Sequence, residues 1–235
     1  MKPLTSVPSR TEQVYSAIRE SICDCSLEPG THLVQEDLAA MLGVSRQPIQ
    51  QAMLLLKNDG LVVEHGARGL YVAPIDRAET VDRYQIRLML DKLSVRQVAE
   101  RARIDDGFKS QLRREGDEIL KSGKIALGTG TAADAVRHDV EFHSLFYHLS
   151  GNSMVFLTAE PHWYFLRRVM VAVLMHADRG TIVWDQHKEI LDAAVAGDVE
   201  RVDALASDHI TGAQNALFAA LETRLETNSF FSFRS

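Results

Sequence analysis

Two groups of residues in this chain have side chains able to do chemistry at a spacing that would let them act together. Asp139 and His143 are four apart in a helical stretch, so both project from one face. Leu145, Phe146 and Leu149 give the same stretch an apolar side, which turns that face toward a helical core. A carboxylate and an imidazole held in this way can ligate a divalent metal. With nine histidines in 235 residues, such spacings also arise by chance. The second group is Gly43-Val44-Ser45-Arg46 with Gln47, Gln50 and Gln51 behind it. Ser45 stands where it can cap a helix and donate to a phosphate. Arg46 and Gln47 point outward from the first turn, and Gln50 and Gln51 follow about one turn later. These residue types read phosphates and base edges, although on a solvated face Arg46 would be an ordinary surface charge.

The elements that must position these groups follow from capping and periodicity. Ser9 and Glu12 have capping-box spacing, which predicts a first helix from after Ser9 to about Cys25. Pro29-Gly30 breaks the chain, and a second helix is expected over about Gln35 to Met41. Ser45 then opens a third, running to about Asn58 and stopping near Gly60. Leu61-Val62-Val63 and Leu70-Tyr71-Val72, joined across His65-Gly66-Ala67-Arg68-Gly69, read as a β-hairpin. Two helices around a Gly-Val-Ser turn form a helix-turn-helix, and the added hairpin makes it winged. The wing tip, His65, Gly66 and Arg68, is placed to reach a neighbouring phosphate or the minor groove.

Pro74-Ile75-Asp76 marks the boundary, giving a DNA-binding domain over 1–75 and a second domain over 76–235. From Glu79 onward the pattern is helical, with helices expected at about 79–103, 106–121, 131–150, 152–177, 181–196 and 198–225. Strand signals are scarce, so the fold class is mainly α: a winged helix-turn-helix followed by an all-α antiparallel bundle. Phe230, Phe231 and Phe233 in the last residues either dock on the bundle or a partner, or belong to a disordered end.

Bulk composition narrows the partners. A hydrophobic content of 46% with 25% charged residues is ordinary for a globular protein. No apolar run approaches the ~18 residues of a membrane span, and the N-terminus lacks the apolar core of an export signal. Cys23 and Cys25 are two apart in a predicted helix and point away from each other, so a cytoplasmic location is expected. The net charge is −6, and residues 1–75 hold six Lys or Arg against eight Asp or Glu. DNA binding must therefore rest on where a few cations sit, not on bulk charge. So few cations bind weakly as one copy, which calls for a dimer on a palindromic, double-stranded operator.

Taken in order, these pieces resemble the GntR family of bacterial transcription regulators, and within it the FadR subfamily. The resemblance runs from about Val14 to His209. It rests on Leu27-Glu28-Pro29-Gly30, Leu38-Ala39, Leu42-Gly43-Val44-Ser45-Arg46, Pro48, Ala52, Leu56, Gly60-Leu61 and Arg68-Gly69. Further along it rests on Arg87, Asp139, Phe142-His143, Gly151-Asn152, His187 and His209.

The resemblance implies that His187 and His209 join Asp139 and His143 as ligands of a divalent metal, Zn, Ni or Mn, with coordination positions left open. It also implies that the helical domain dimerises and that Arg87 faces the cavity; open metal positions there suit a small carboxylate effector, and Asn152, expected to cap the next helix, is a lesser candidate contact. A surface ion pair with Asp91 is the plainer reading of Arg87. Arg167 and Arg168 read as solvated charges. His138, His148, His162 and His176 read as surface or core histidines. Three histidines and an aspartate with open positions also describe a metal-dependent hydrolase or oxygenase, although no base or nucleophile stands at a recognisable spacing.

Three departures from the family pattern stand out. Gln50 and Gln51 replace a usual Arg-Glu pair. Leu54 and Leu55 make the middle of the third helix apolar nearly all round, which predicts that something covers it. Cys25 replaces a helix-ending glycine, which predicts a different local turn, because a left-handed backbone would cost ~1 kcal/mol there.

Overall fold

Ser9 begins the first helix as its spacing requires: Glu12 N donates to Ser9 Oγ at 3.2 Å, and Ser9 N donates to the Glu12 carboxylate at 2.6 Å. The computed structural model describes residues 8–66, 69–174 and 180–225. The elements are α1 (Arg10–Cys23), β1 (His32–Leu33), α2 (Gln35–Leu42), α3 (Arg46–Asn58), β2 (Val62–Glu64), β3 (Leu70–Val72), α4 (Arg77–Ala102), α5 (Asp106–Thr129), α6 (Ala132–Leu149), α7 (Ser153–Leu174), α8 (Gly180–Ala196) and α9 (Val199–Leu225). They fall into two compact units that meet between Ile75 and Asp76.

In the first unit α1 packs on α3 through Val14, Ile18 and Ile22 on one side and Ile49, Ala52, Met53 and Leu56 on the other. Gly43, at φ +64°, ends α2 and makes the turn into α3. The wing is a three-stranded antiparallel sheet in the order β1-β3-β2, with Leu33 opposite Leu70 and Val62 opposite Val72. The third strand, β1, was not expected. Two residues are too few to show alternation, and only pairing with β3 defines them.

Two local expectations are corrected here. Cys25 does adopt the left-handed conformation, at φ +60°, so the turn does not differ from the glycine pattern. The helix end is fixed by bonds from Cys25 N to Ile22 O and from Leu27 N to Ser21 O, and the side chain bears the cost. Within the first unit itself Leu54 and Leu55 are not covered: they are 68% and 45% exposed.

The second unit is all helical. Its core joins α4, α5, α6, α8 and α9 through Val98, Leu112, Phe142, Phe146, Trp184, Leu191 and Val202. Helix α5 runs eight residues beyond the end expected at 121, straight through Gly123. That glycine is a packing notch, not a stop. A Cβ there would lie 2.0 Å from Trp184 Cη2, and one at Gly116, two turns earlier, would lie 2.5 Å from Leu191 Cδ1. The two glycines let α8 lie close against α5. None of the helices is long and apolar enough to cross a membrane, among the described residues.

Candidate metal centre and nucleic-acid interface

Each of three helices in the second unit carries a polar side chain at a position its apolar stripe assigns to the core. Helix α6 turns Val136, Asp139, Phe142, His143 and Phe146 inward, α8 turns Trp184, His187 and Leu191 inward, and α9 turns Val202, Ala206 and His209 inward. The stripes therefore converge on four buried ligating groups: Asp139, His143, His187 and His209. One ligand atom from each lies within 4.8 Å of every other. His187 Nε2 stands 3.2 Å from His209 Nε2 and 3.4 Å from Asp139 Oδ1. These are the edge lengths of a coordination shell with bonds of about 2.1 Å.

Two buried polar atoms at this point, Asp139 Oδ2 and His187 Nδ1, have no hydrogen-bond partner. Groups buried in that state cost about 1–3 kcal/mol each, and a cation beside Asp139 would relieve part of it. The residues present fit a divalent ion. Burial, with His209, His143 and Arg87 nearby, holds His187 well below its ordinary pKa, so it is neutral and able to ligate.

The supporting layer lies mainly on α4. Asp91 Oδ1 accepts from Tyr147 Oη at 2.7 Å and from His143 Nδ1 at 3.2 Å. Burial raises the Asp91 carboxyl, but His143, Arg87 and Tyr147 outweigh it and bring the pKa down to about 2. As an anion it only accepts, so His143 carries its proton on Nδ1 and keeps the lone pair on Nε2. His209 Nδ1 meets Gln186 Oε1 at 3.0 Å, which leaves Nε2 to face the cluster in the same way.

Arg87 is buried, not on the surface. Its Nε reaches Asp91 at 3.3 Å, and its Nη2 donates to His143 Nε2 at 2.8 Å and lies 3.8 Å from Asp139. The guanidinium sits 4.3 Å from the Trp163 ring centroid. The ion pair with Asp91 is therefore present, but in the core and not on the surface. A cavity of about 10 Å³, room for about one water, adjoins His143 and His209 and is walled by Val95, Phe142, Phe146, Ile190 and Ile210.

Other expected site residues lie elsewhere. Asn152 spends its side chain capping α7, accepting from Met154 N at 3.1 Å, so the structure does not join it to the cluster. Arg168 is buried against the Phe165 ring and is not a solvated charge. His138 bonds Glu141, His148 stacks on Phe156 and His162 meets Arg83. His176 and the aromatic tail fall outside the described residues. Asp91, Tyr147 and Trp163 were not identified as site residues from the sequence. The available signal was on α4, where the inward stripe Thr80, Tyr84, Arg87, Asp91 and Ser94 is polar where a bundle core should be apolar.

In the first unit, Ser45 occupies the N-cap of α3, but its side chain makes no capping bond and is left to meet another group. Arg46, Gln47 and Gln50 are exposed. Arg46 pairs with Glu36 of α2. Arg46, Gln50, Leu54 and Lys57 line a groove of about 610 Å³ between α3 and the sheet, together with Glu36 and Glu64. Gln51 points elsewhere: its Oε1 accepts from Thr11 of α1 at 2.7 Å. His65 and Gly66 are exposed at the wing tip, with His65 edge-on to Tyr71, and Arg68 lies outside the described residues.

Both units match known families. Residues 10–72 match the model of the bacterial regulatory proteins of the gntR family, and residues 82–212 match the FCD domain, more than half of the chain. This chain is a gntR-family regulator with an FCD domain. It is 25% identical over 229 residues to the HTH-type transcriptional regulator YdfH of Escherichia coli O6:H1, covering 97% of this chain and 96% of that one. It is likewise 25% identical over 221 residues to the HTH-type transcriptional repressor RspR of Escherichia coli, covering 94% and 93%. In fold it resembles the solved structure of E. coli McbR/YncC, with a TM-score of 0.77 and 19% identity over 92% of this chain and all of that one. The regulator is a DNA-binding transcription factor, and its relatives are regulators, not enzymes. The hydrolase or oxygenase alternative is dropped on that ground.

Proposed function

We propose that the regulator binds a palindromic operator as a homodimer and that a small carboxylate, held at a divalent metal in the helical domain, modulates that binding. The observation that carries this reading is the buried convergence of Asp139, His143, His187 and His209 beside the Arg87 guanidinium. These four residues would hold Zn²⁺, Ni²⁺ or Mn²⁺, which supplies a Lewis-acidic attachment for a carboxylate oxygen. Asp91 and Gln186 orient two of the imidazoles, and Arg87 supplies the second positive charge an acid anion requires.

A cavity with room for one water does not accommodate an organic acid with its carbon skeleton. Binding must therefore favour a form in which the helices around Phe142, Ile190 and Ile210 stand further apart, and that difference is what an effector can transmit. On DNA, Arg46, Gln47 and Gln50 enter the groove from the start of α3, Ser45 meets a phosphate, and His65, Gly66 and Arg68 form the wing contact. Gln50 can read adenine bidentately.

The outer face of α4, opposite Arg87 and Asp91, exposes Ile86, Met89 and Leu93 at helical spacing. A second copy would bury this stripe. Metal analysis of the purified chain, followed by a thermal-shift screen of small organic acids with and without metal, tests the reading. Metal-dependent stabilisation by a carboxylate supports it; indifference to every metal and acid overturns it.

A further inference from the structure

We propose that Arg87 occupies the metal-facing nitrogen of His143 until a carboxylate draws it away, so that metal and acid strengthen each other's binding. This rests on the metal-and-acid reading above and adds the coupling between the two ligands. Nη2 of Arg87 lies 2.8 Å from His143 Nε2, and His143 Nδ1 faces Asp91 at 3.2 Å. An imidazole that donates from Nδ1 has its one lone pair on Nε2. That pair can accept a guanidinium proton or bind a cation, not both. Metal entry therefore requires Arg87 to leave His143.

When the metal comes alone, the nearest acceptor left to Nη2 is Asp139 Oδ2, 3.8 Å away on a carboxylate that the metal would itself draw on. Arg87 is only 2% exposed, so water cannot take over its protons. Nη1 already lacks a hydrogen-bond partner, and release from His143 takes from Nη2 its close acceptor at 2.8 Å. Charge points the same way. With neutral imidazoles, the buried Arg87, Asp91 and Asp139 carry a net single negative charge, which a divalent ion converts to a single positive one. A monocarboxylate restores neutrality, and its two oxygens can accept from Nη1 and Nη2 in the paired geometry that guanidinium favours. Each ligand thus removes a cost of binding the other, and linkage makes the effect reciprocal.

The test measures zinc affinity of the full, chelator-stripped chain by competition with a fluorescent chelator, in sodium acetate or in sodium chloride at matched ionic strength. Acetate is the probe because it offers the carboxylate with almost nothing attached. Acetate is expected to tighten zinc binding about fivefold or more in the natural chain. Arg87→Gln is expected to bind zinc several-fold more tightly than the natural chain in chloride, with the acetate effect nearly gone. Zinc bound equally well in acetate and chloride by the natural chain overturns the coupling while leaving the metal site intact. No zinc uptake at all overturns the metal reading itself. The natural-chain comparison decides the matter even if Arg87→Gln fails to fold.

Discussion

Gly123 of α5 lies directly against the Trp184 ring of α8, so close that a Cβ would stand 2.0 Å from Cη2. Trp184 in turn presents its edge to His187, with ring centroids 5.0 Å apart. A missing side chain on one helix thus sets where a ligating histidine stands on the next. Gly123→Ala must displace the indole, and we expect a loss of about 1–3 kcal/mol in chemical denaturation together with weaker metal binding. Gly212→Ala in α9, where a Cβ meets nothing within 4 Å, is expected to be neutral or to stabilise by up to ~1 kcal/mol. Equal effects at the two positions would show that the notch does not position the site.

Cys25 offers a cleaner backbone test. Its φ of +60° is a conformation that glycine adopts freely, so Cys25→Gly should stabilise the chain by about 1 kcal/mol in urea denaturation. Destabilisation would mean that the thiol's packing outweighs the backbone cost.

Much of this molecule is legible in its sequence, and the exceptions share a physical cause. The Ser9 capping box and the Gly43 turn are local, and spacing alone reveals them; Asp139 and His143 share a helix face, but only the family resemblance set them apart from a chance spacing and added His187 and His209. The strand β1, the continuation of α5 through Gly123 and the burial of Arg168 depend on partners distant in the chain. At Gly123 the usual rule fails because the residue serves Trp184, 61 positions away, and not its own backbone. Asp91 escaped for a related reason. Its partner at i−4 gives a complete local account, and only the fold brings His143 and Tyr147 to the same carboxylate.

The orientation of Gln51 toward Thr11 divides the recognition helix. Arg46→Ala should abolish binding to a selected operator in retardation assays while leaving thermal stability and oligomeric state unchanged. Gln51→Ala should change operator affinity little and cost a few tenths of a kcal/mol of stability. The reverse ranking would place α3 differently on DNA.

Acid should destabilise the metal-free chain in two stages. His187 is held well below the ordinary histidine range in the folded state, whereas the unfolded chain titrates near 6.5. The unfolded state therefore binds more protons as pH falls below about 6.5, and stability declines from there. Asp91, at about 2 when folded, contributes stability that is present above about 4 and is lost as pH falls toward 2. A thermal midpoint flat between pH 7 and 5 would contradict the buried, neutral state of His187.

Asp91→Asn keeps the shape but removes the anion that fixes the His143 tautomer. We expect metal affinity to fall about 10–100-fold. An unchanged affinity would confine Asp91 to holding Arg87.

Three histidines and one aspartate on three helices should together hold one divalent ion. Elemental analysis of the chain, after dialysis against Zn²⁺, Ni²⁺ or Mn²⁺ and removal of loose ions, tests it most directly. We predict one ion per chain for at least one of the metals, and none in a folded His187→Ala/His209→Ala variant. A folded natural chain that retains no metal, or a double variant that retains as much as the natural chain, would mean that these four residues do not form a metal site.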